Sequence, residues 1–429
     1  MLSREISVLI LGEIFKNYSF ENSINKNKDY GYLSSREKSF VRMTILTYLR
    51  RNGEIDRVIR SYLKKKIKKK FFINVLRIGV TQILYLNVPD YSAVNTSVSI
   101  IKKRVPSLTS AINATLRNIS RDKEEILKKS STIYNLPSWI KDNLEKNVGK
   151  DNTLAISKVV VNRPYIDIKI RKDVFLKKNW EKILNGRNIF NEIIRKRDLG
   201  KVTNLPFFNK GHWWIQSLSS LLPIIIVNNY FKKIEKNRVS VLEIGGAPGG
   251  KTLNLCENKY KVTTVEISEK RIKTFKENLS RVGFKVDLIH GDILNINLFR
   301  KFNCILIDAP CTASGIIAKK PDILIKNKAN ILKKLIVKQY DILKKTSTIV
   351  EKNGIILYCV CSLISDEGQE QVEKFLFQNK NFSLVKLDEK MVGGVDCLLT
   401  KGSITVTPLS LQNEGGLDGF FIACFKRLY

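Results

Sequence analysis

VSVLEIGGAPGGKT, Val239 to Thr252, is the stretch on which the reading of this chain turns. Its apolar run VLEI reads as a buried strand, and the glycines after it read as a tight turn into a helix that opens KTLNLCEN. Strand, glycine loop and helix head form the entry to a nucleotide-binding sheet, where backbone N–H groups at the helix start meet the ligand. Letter by letter, Gly245, Gly250, Lys251 and Thr252 also satisfy G-x-x-x-x-G-K-[ST], the phosphate loop of an NTPase.

Outward from the loop the pattern alternates. KVTTVEIS reads as a second strand, EKRIKTFKENLSRVG as a helix stopped by glycine, and KVDLIHGD, NCILIDAP and GIILYCVCS as three more strands. Such alternation predicts an open parallel sheet with helices on both faces and ligands at the carboxyl ends of the strands. Upstream, VVVNRPYIDIKIRKD carries β-branched alternation at Ile166, Ile168 and Ile170, the start of a short α+β stretch. Before about residue 145 the spacing is helical: Val41, Ile45, Tyr48 and Leu49 make one apolar face, and Leu76, Val80, Ile83 and Leu84 another. The expected division is therefore an all-α domain over 1–145, a small α+β subdomain over 146–210 and an α/β domain over 211–429.

The 75 Lys and Arg residues against 40 Asp and Glu give +35, an excess that points to a polyanionic partner, nucleic acid above all. Richness in Lys, Asn and Ile is also what AT-biased coding would produce, so charge argues best together with motifs. KKKIKKK at Lys64 to Lys70 and KKR at Lys102 to Arg104 are candidate phosphate-tracking surfaces. No stretch approaches the roughly 20 apolar residues that span a bilayer, and acidic residues interrupt the apolar run of MLSREISVLILGEIF, so a cytoplasmic protein without membrane partner is expected. Seven cysteines without C-x-x-C spacing and only two histidines, His212 and His290, argue against a disulfide framework and against a metal site. A monomer is expected.

Two ligands compete for the glycine loop. The NTPase reading gains from ILID, Ile305 to Asp308, an apolar strand closed by an acid that could hold magnesium. It loses from Pro248, which removes an N–H from a loop that would exist to offer N–H groups, and from Ala309, Pro310 and Cys311, which carry a thiol where a second acid would be. S-adenosylmethionine explains more positions. Gly245, Gly246, Gly249 and Gly250 admit a ligand close to the backbone, Glu266 closes the second strand where a carboxylate accepts from ribose hydroxyls, and Asp292 in HGD ends the third near the adenine.

The chemistry rests on two further strand ends. Cys311 in DAPC and Cys361 in YCVCS follow strands that open into one pocket, while Cys256, Cys304, Cys359, Cys397 and Cys424 read as packing. A thiolate beside an activated methyl group suits methylation at carbon 5 of a pyrimidine. Adding the thiolate to carbon 6 pushes electron density onto carbon 5, which takes the methyl group; loss of the carbon 5 proton then expels the thiol.

At these residues the chain resembles the bacterial 16S rRNA cytosine-C5 methyltransferases of the RsmB (Sun, Fmu) family, within the group that includes the NSUN enzymes. VLEIGGAPGGKT resembles the donor loop, DAPCTASGI the fourth motif, YCVCSLISDEGQE the T-C-S motif with its acidic helix start, GHWWIQSLSS the segment before the loop and PLSLQNEGGLDGFFIACFKR the closing strand pair. REKSFVRMTILTYLRRNGEID, LRIGVTQILYLNVPDYSAVNTSVSIIKKR and AINATLRNI resemble the NusB-like RNA-binding domain, with NLPSWI as its exit, so the likeness spans nearly the whole chain.

The resemblance implies a NusB-like helical domain followed by a class I, Rossmann-like methyltransferase domain with a small α+β subdomain before it. It further implies Cys361 as nucleophile, Cys311 as the group that helps release the RNA adduct and Asp308 as a contact to the target base. The donor would lie against Gly245, Gly246, Ala247, Pro248, Gly249, Gly250 and Lys251, with Glu266, Asp292 and Asp308 around it. The implied substrate is exposed 16S rRNA, naked or early in assembly, because the cytosine must leave its stack to be reached. Four departures stand out: Gly245 and Gly246 for a Cys/Ala pair, Glu243 for Asp, Val360 for Thr, and AKKPDILIK without the Arg and Trp of RRHPDIKW. A tRNA cytosine-C5 methyltransferase, a P-loop NTPase and a non-catalytic RNA-binding assembly factor are the alternatives.

Overall fold

Helices make up the first of two units, Met1–Asp142 with Lys150–Asn162 and Ile317–Asn327; the computed structural model describes residues 2–63, 67–198, 200–326 and 329–429. The apolar stripe from Val41 lies in the helix Ser35–Arg50 and that from Leu76 in the helix Lys70–Tyr85. Both face one core, shared with Leu2–Ile14, Asp90–Arg104 and Thr109–Arg121. Lys102 and Lys103 are exposed in the last turn of Asp90–Arg104, where positive charge suits the carboxyl end of a helix, and Arg104 pairs with Glu5 at 2.7 Å. Of KKKIKKK, Lys64–Lys66 lie outside the described residues, and Lys68–Lys70 are exposed.

The second unit holds two sheets. The smaller consists of β1 (Ile166–Ile170), β2 (Arg187–Phe190), β3 (Ile193–Lys196) and β4 (Trp213–Ile215), antiparallel in the order β2-β3-β1-β4. Ile168 and Ile170 pack with Trp180, Leu184 and Trp213, as their alternation requires. The polar face of β1 is buried too. Asp167 receives a two-pronged ion pair from Arg195, at 2.7 and 3.0 Å, and the Leu218 N–H at 2.9 Å. Lys169 pairs with Glu257 at 2.8 Å. Arg195 reaches on to the carbonyls of Glu414 and Gly416, so this sheet grips the loop before the last strand.

The larger sheet begins with β5 (Ser240–Ile244), β6 (Lys261–Glu266), β7 (Asp287–His290), β8 (Phe302–Asp308) and β9 (Val350–Val360). These five are parallel, in the order β7-β6-β5-β8-β9. The order reverses between β5 and β8, which opens a crevice at their carboxyl ends. β10 (Phe382–Val385), β11 (Leu398–Thr400), β12 (Ser403–Val406) and β13 (Phe420–Arg427) complete it, and β13 lies antiparallel to β9. The sheet is thus mixed: alternation with helices holds through β9, and beyond it a tight hairpin joins β11 to β12 while a longer loop returns the chain to β13, antiparallel to β12. Apolar layers cover both faces. Among the described residues no helix is long and apolar enough to cross a membrane.

Replacing Asp167 by Ala strips buried Arg195 of its partner and orphans the Leu218 N–H, and should cost about 3–5 kcal/mol. Urea unfolding of the two proteins checks this; a loss below about 1 kcal/mol would place the pair with surface ion pairs.

Candidate active site

β5 stops at Ile244 and the chain turns sharply through Gly245, at φ 78°, toward the helix Gly250–Glu257. A side chain at Gly245 would put its Cβ 2.9 Å from the Asp308 carbonyl oxygen, and one at Gly246 would put it 2.4 Å from Thr264 Cγ2 and 3.0 Å from Glu243 Oε2. The corner is therefore glycine because strands on either side leave no room. At Gly246 the space a methyl group would take is held first by Thr264 and then by the Glu243 carboxyl. Ala247 is buried, the Ala247–Pro248 peptide is cis, and the Asn278 side chain donates to the Pro248 carbonyl at 3.0 Å.

Lys251 and Thr252, which would serve a phosphate and a magnesium ion, are committed elsewhere. Lys251 Nζ lies 2.7 Å from Asp308 Oδ2, and the Thr252 hydroxyl donates to Glu243. Burial works against the charge on Lys251, but the Asp308 carboxylate outweighs it and holds the ammonium above its usual range. Glu243 is fully buried, and burial lifts its carboxyl from 4.5 to about 7 against the pull of Thr252 and Lys251.

Glu266, at the end of β6, is buried beside the loop. Its Oε2 accepts from Ala247 N at 3.3 Å and its Oε1 from Ser268 N at 2.9 Å, while Arg271 approaches at 3.3 Å and also donates to the Ala247 carbonyl. The Gly291 N–H donates to the Glu266 carbonyl at 3.1 Å, which brings the turn bearing Asp292 to the same edge. Asp292 accepts from Leu294 N at 3.1 Å and pairs with Lys338 at 2.9 Å. Burial raises this acid, but Lys338 and the Leu294 N–H prevail and hold it below the usual carboxylate range. Arg271 and Lys338 went unnoticed in the sequence, because their partners lie 5 and 46 positions away and no motif marks them.

Asp308 pairs across the sheet with Cys359, and the Ala309 N–H donates to the Cys359 carbonyl at 3.0 Å. The loops after β8 and β9 thus leave side by side, and Cys311 Sγ lies 3.3 Å from Cys361 Sγ. Both thiols are half-buried, whereas Cys304, Cys359 and Cys424 are core residues. The hydrogen bond with Cys361, with burial, pushes the Cys311 thiol well above its usual range. Gln216 backs the loop from behind: its Oε1 accepts from Trp214 Nε1 at 2.9 Å and from Asn254.

Residues 232–426 match the family described as 16S rRNA methyltransferase RsmB/F, and residues 1–121 match the NusB family. The chain thus carries an RsmB/F methyltransferase domain and a NusB domain. Among curated relatives, a probable ribosomal RNA small subunit methyltransferase B of Bacillus subtilis is 24% identical over 99% of this chain and 98% of its own. The ribosomal RNA small subunit methyltransferase B of Pasteurella multocida is 26% identical over 87% and 84%. In fold, the chain is similar to PH0851, at TM-score 0.73 and 21% identity over 99% of both chains. It is also similar to NSun6 from Pyrococcus horikoshii, solved with SFG, at TM-score 0.55 and 18% identity over 69% of this chain and 99% of that one.

With that domain and these relatives, the chain is an S-adenosylmethionine-dependent RNA methyltransferase. A glycine corner that admits no Cβ, with a buried carboxylate at the next strand end, fits that donor. Lys251 and Thr252, tied to Asp308 and Glu243, do not form a phosphate cradle.

Glu243 gives this site a pH signature. Its folded pKa, about 7, exceeds the ordinary 4.5. The folded chain therefore holds the extra proton between those values, and the stability from it, present below 4.5, is lost as pH rises through 7. Between pH 4.5 and 7.5 the wild type should lose on the order of 3 kcal/mol relative to Glu243→Gln, which cannot titrate. A difference in urea stability that stays flat across this window would contradict a buried, titrating Glu243.

Proposed function

We propose that the chain methylates carbon 5 of a cytosine in 16S rRNA through a covalent bond between a cysteine and carbon 6. The carrying observation is the pair of thiols 3.3 Å apart at the ends of neighbouring parallel strands, next to a glycine corner built for the donor. S-adenosylmethionine, when bound, supplies an electrophilic methyl group. Gly245 to Lys251 would hold it, with Glu266 on the ribose and Asp292 near the adenine once Arg271 and Lys338 yield or share those carboxylates.

Cys361 gives the thiolate that adds to carbon 6 of the cytosine. Asp308, its Oδ2 held by Lys251, uses its other oxygen to meet the base and favours the form protonated at N3, which accepts the thiolate more readily. Carbon 5 then takes the methyl group and becomes tetrahedral. Water takes the carbon 5 proton, the electron pair restores the double bond between carbons 5 and 6, and Cys361 leaves as the thiolate. Cys311, 3.3 Å from that sulfur, assists this release by donating a hydrogen bond to the departing thiolate. The names of the curated relatives support a small-subunit rRNA substrate, and the excess of 35 positive charges supports a substrate gripped by its phosphates. The base must be unstacked, which favours naked or early-assembly rRNA in the cytoplasm.

With tritiated donor and naked 16S rRNA, the wild type should yield labelled 5-methylcytosine, Cys361→Ala none above background, and Cys311→Ala a protein–RNA adduct stable to denaturation. Label on tRNA but not on rRNA would move the assignment to tRNA. Donor binding without label on either RNA would leave an RNA-binding assembly factor, and ATP hydrolysis without label would revive the NTPase.

A further inference from the structure

One buried acid belongs to no step above. Glu367 lies six residues after Cys361, in the turn Ser365–Glu367, and its side chain is shut off from solvent. Its Oε1 accepts from the Thr312 N–H at 2.8 Å and from Gln339 Nε2 at 3.0 Å. Its Oε2 accepts from the hydroxyls of Thr312 and Ser362, each at 2.5 Å. A carboxylate has about four acceptor sites, and all are used here. Thr312 is the residue after Cys311, and Ser362 is the residue after Cys361.

The same group is fixed from three other directions. Tyr358 in β9 donates its hydroxyl to the Glu367 carbonyl at 2.7 Å, and Gln339, from the helix Ala329–Ser347, also donates to the Pro310 carbonyl at 2.9 Å. Ser314 Oγ meets Ser362 Oγ at 2.9 Å and accepts from Leu363 N at 2.9 Å. The two cysteine-bearing loops share no ladder beyond Ala309; these Ser314 bonds, the Gly315 N–H to Cys361 carbonyl bond at 3.0 Å and the Glu367 carboxylate tie one loop to the other.

We infer that Glu367 is the positioning residue for the thiol pair: its carboxylate clamps the residues that follow Cys311 and Cys361 and so sets the 3.3 Å between the sulfurs. It touches neither sulfur: it holds the two loops through Thr312 and Ser362, and its charge adds to the upward push on the Cys311 thiol. The consequence for turnover rests on the proposed cysteine chemistry; the clamp itself does not.

The substitution pair Glu367→Ala and Glu367→Gln separates clamp from charge. Alanine removes the acceptor that four donors share. Glutamine can present its oxygen to Thr312 N and Gln339 and its amide to the two hydroxyls, which rotate to accept. Two readouts are taken on the full chain. The first is the rate at which diamide joins Cys311 to Cys361, each thiol losing a hydrogen as the N=N bond is reduced to the hydrazine, followed by peptide mass mapping. Glu367→Ala should slow this cross-link at least about tenfold and Glu367→Gln by less than about threefold. The second is methyl transfer to 16S rRNA, where Glu367→Ala should lower kcat about 100-fold, with KM for RNA and donor within about threefold, and Glu367→Gln should recover most of it.

Cross-linking and kcat both within about twofold of wild type in Glu367→Ala would overturn the inference. If the cross-link follows these substitutions while no protein, wild type included, forms 5-methylcytosine, the clamp stands and the proposed chemistry falls. Should Glu367→Ala fail to fold by circular dichroism, Ser362→Ala, which cuts only the tie to the Cys361 loop, is judged by the same two rates.

Discussion

The parallel register of β8 and β9 governs where the reacting groups end up. Asp308 stands opposite Cys359, and the ladder runs one bond further, to Ala309. Two residues past each end the chains carry Cys311 and Cys361, at one height because parallel strands finish on the same side of a sheet. β5 joins the same edge through its pairing with β8, and its glycine corner comes so near the Asp308 carbonyl that no side chain fits. Donor loop, acid and thiols therefore converge from segments more than 100 residues apart without any of them leaving its strand end, as reversal of strand order in a doubly wound sheet provides.

What the register brings together, buried charge must hold. Lys251 and Asp308 neutralise each other where the loop meets the thiol pair, and burial lifts the carboxyl of Glu243, one layer behind, to about 7. In the small sheet the Asp167–Arg195 pair does comparable work: it fixes β1 to β3 and secures the loop at Glu414 and Gly416, and Gly419 just beyond donates to Gly315 beside the fourth motif.

The sheet from β5 to β9, the glycine corner and the cysteine pair were legible because each leaves a local mark: an apolar run, a density of glycine, a cysteine directly after a strand. The polar members were not. Asp167 and Lys169 alternate with isoleucines and so look solvent-facing, yet both are buried, for their partners Arg195 and Glu257 stand 28 and 88 positions away. Glu367 in SDEGQE reads as an ordinary acidic helix start, and the approach of Thr312 from the loop after β8 and of Gln339 from the helix Ala329–Ser347 makes it a buried acceptor. Of the antiparallel strands after β9, likeness to a family marks only the closing stretch that holds β13; β10 and β11, four and three residues long, are too short to show a period.

The mechanism turns on attack of Cys361 on the base. RNA bearing 5-fluorocytosine isolates that step, because fluorine at carbon 5 cannot leave as the proton does and the adduct cannot resolve. A complex should form that survives denaturation, needs S-adenosylmethionine and maps by mass spectrometry to the peptide containing Cys361. A complex mapped to Cys311, or none with active donor and folded protein, would contradict it.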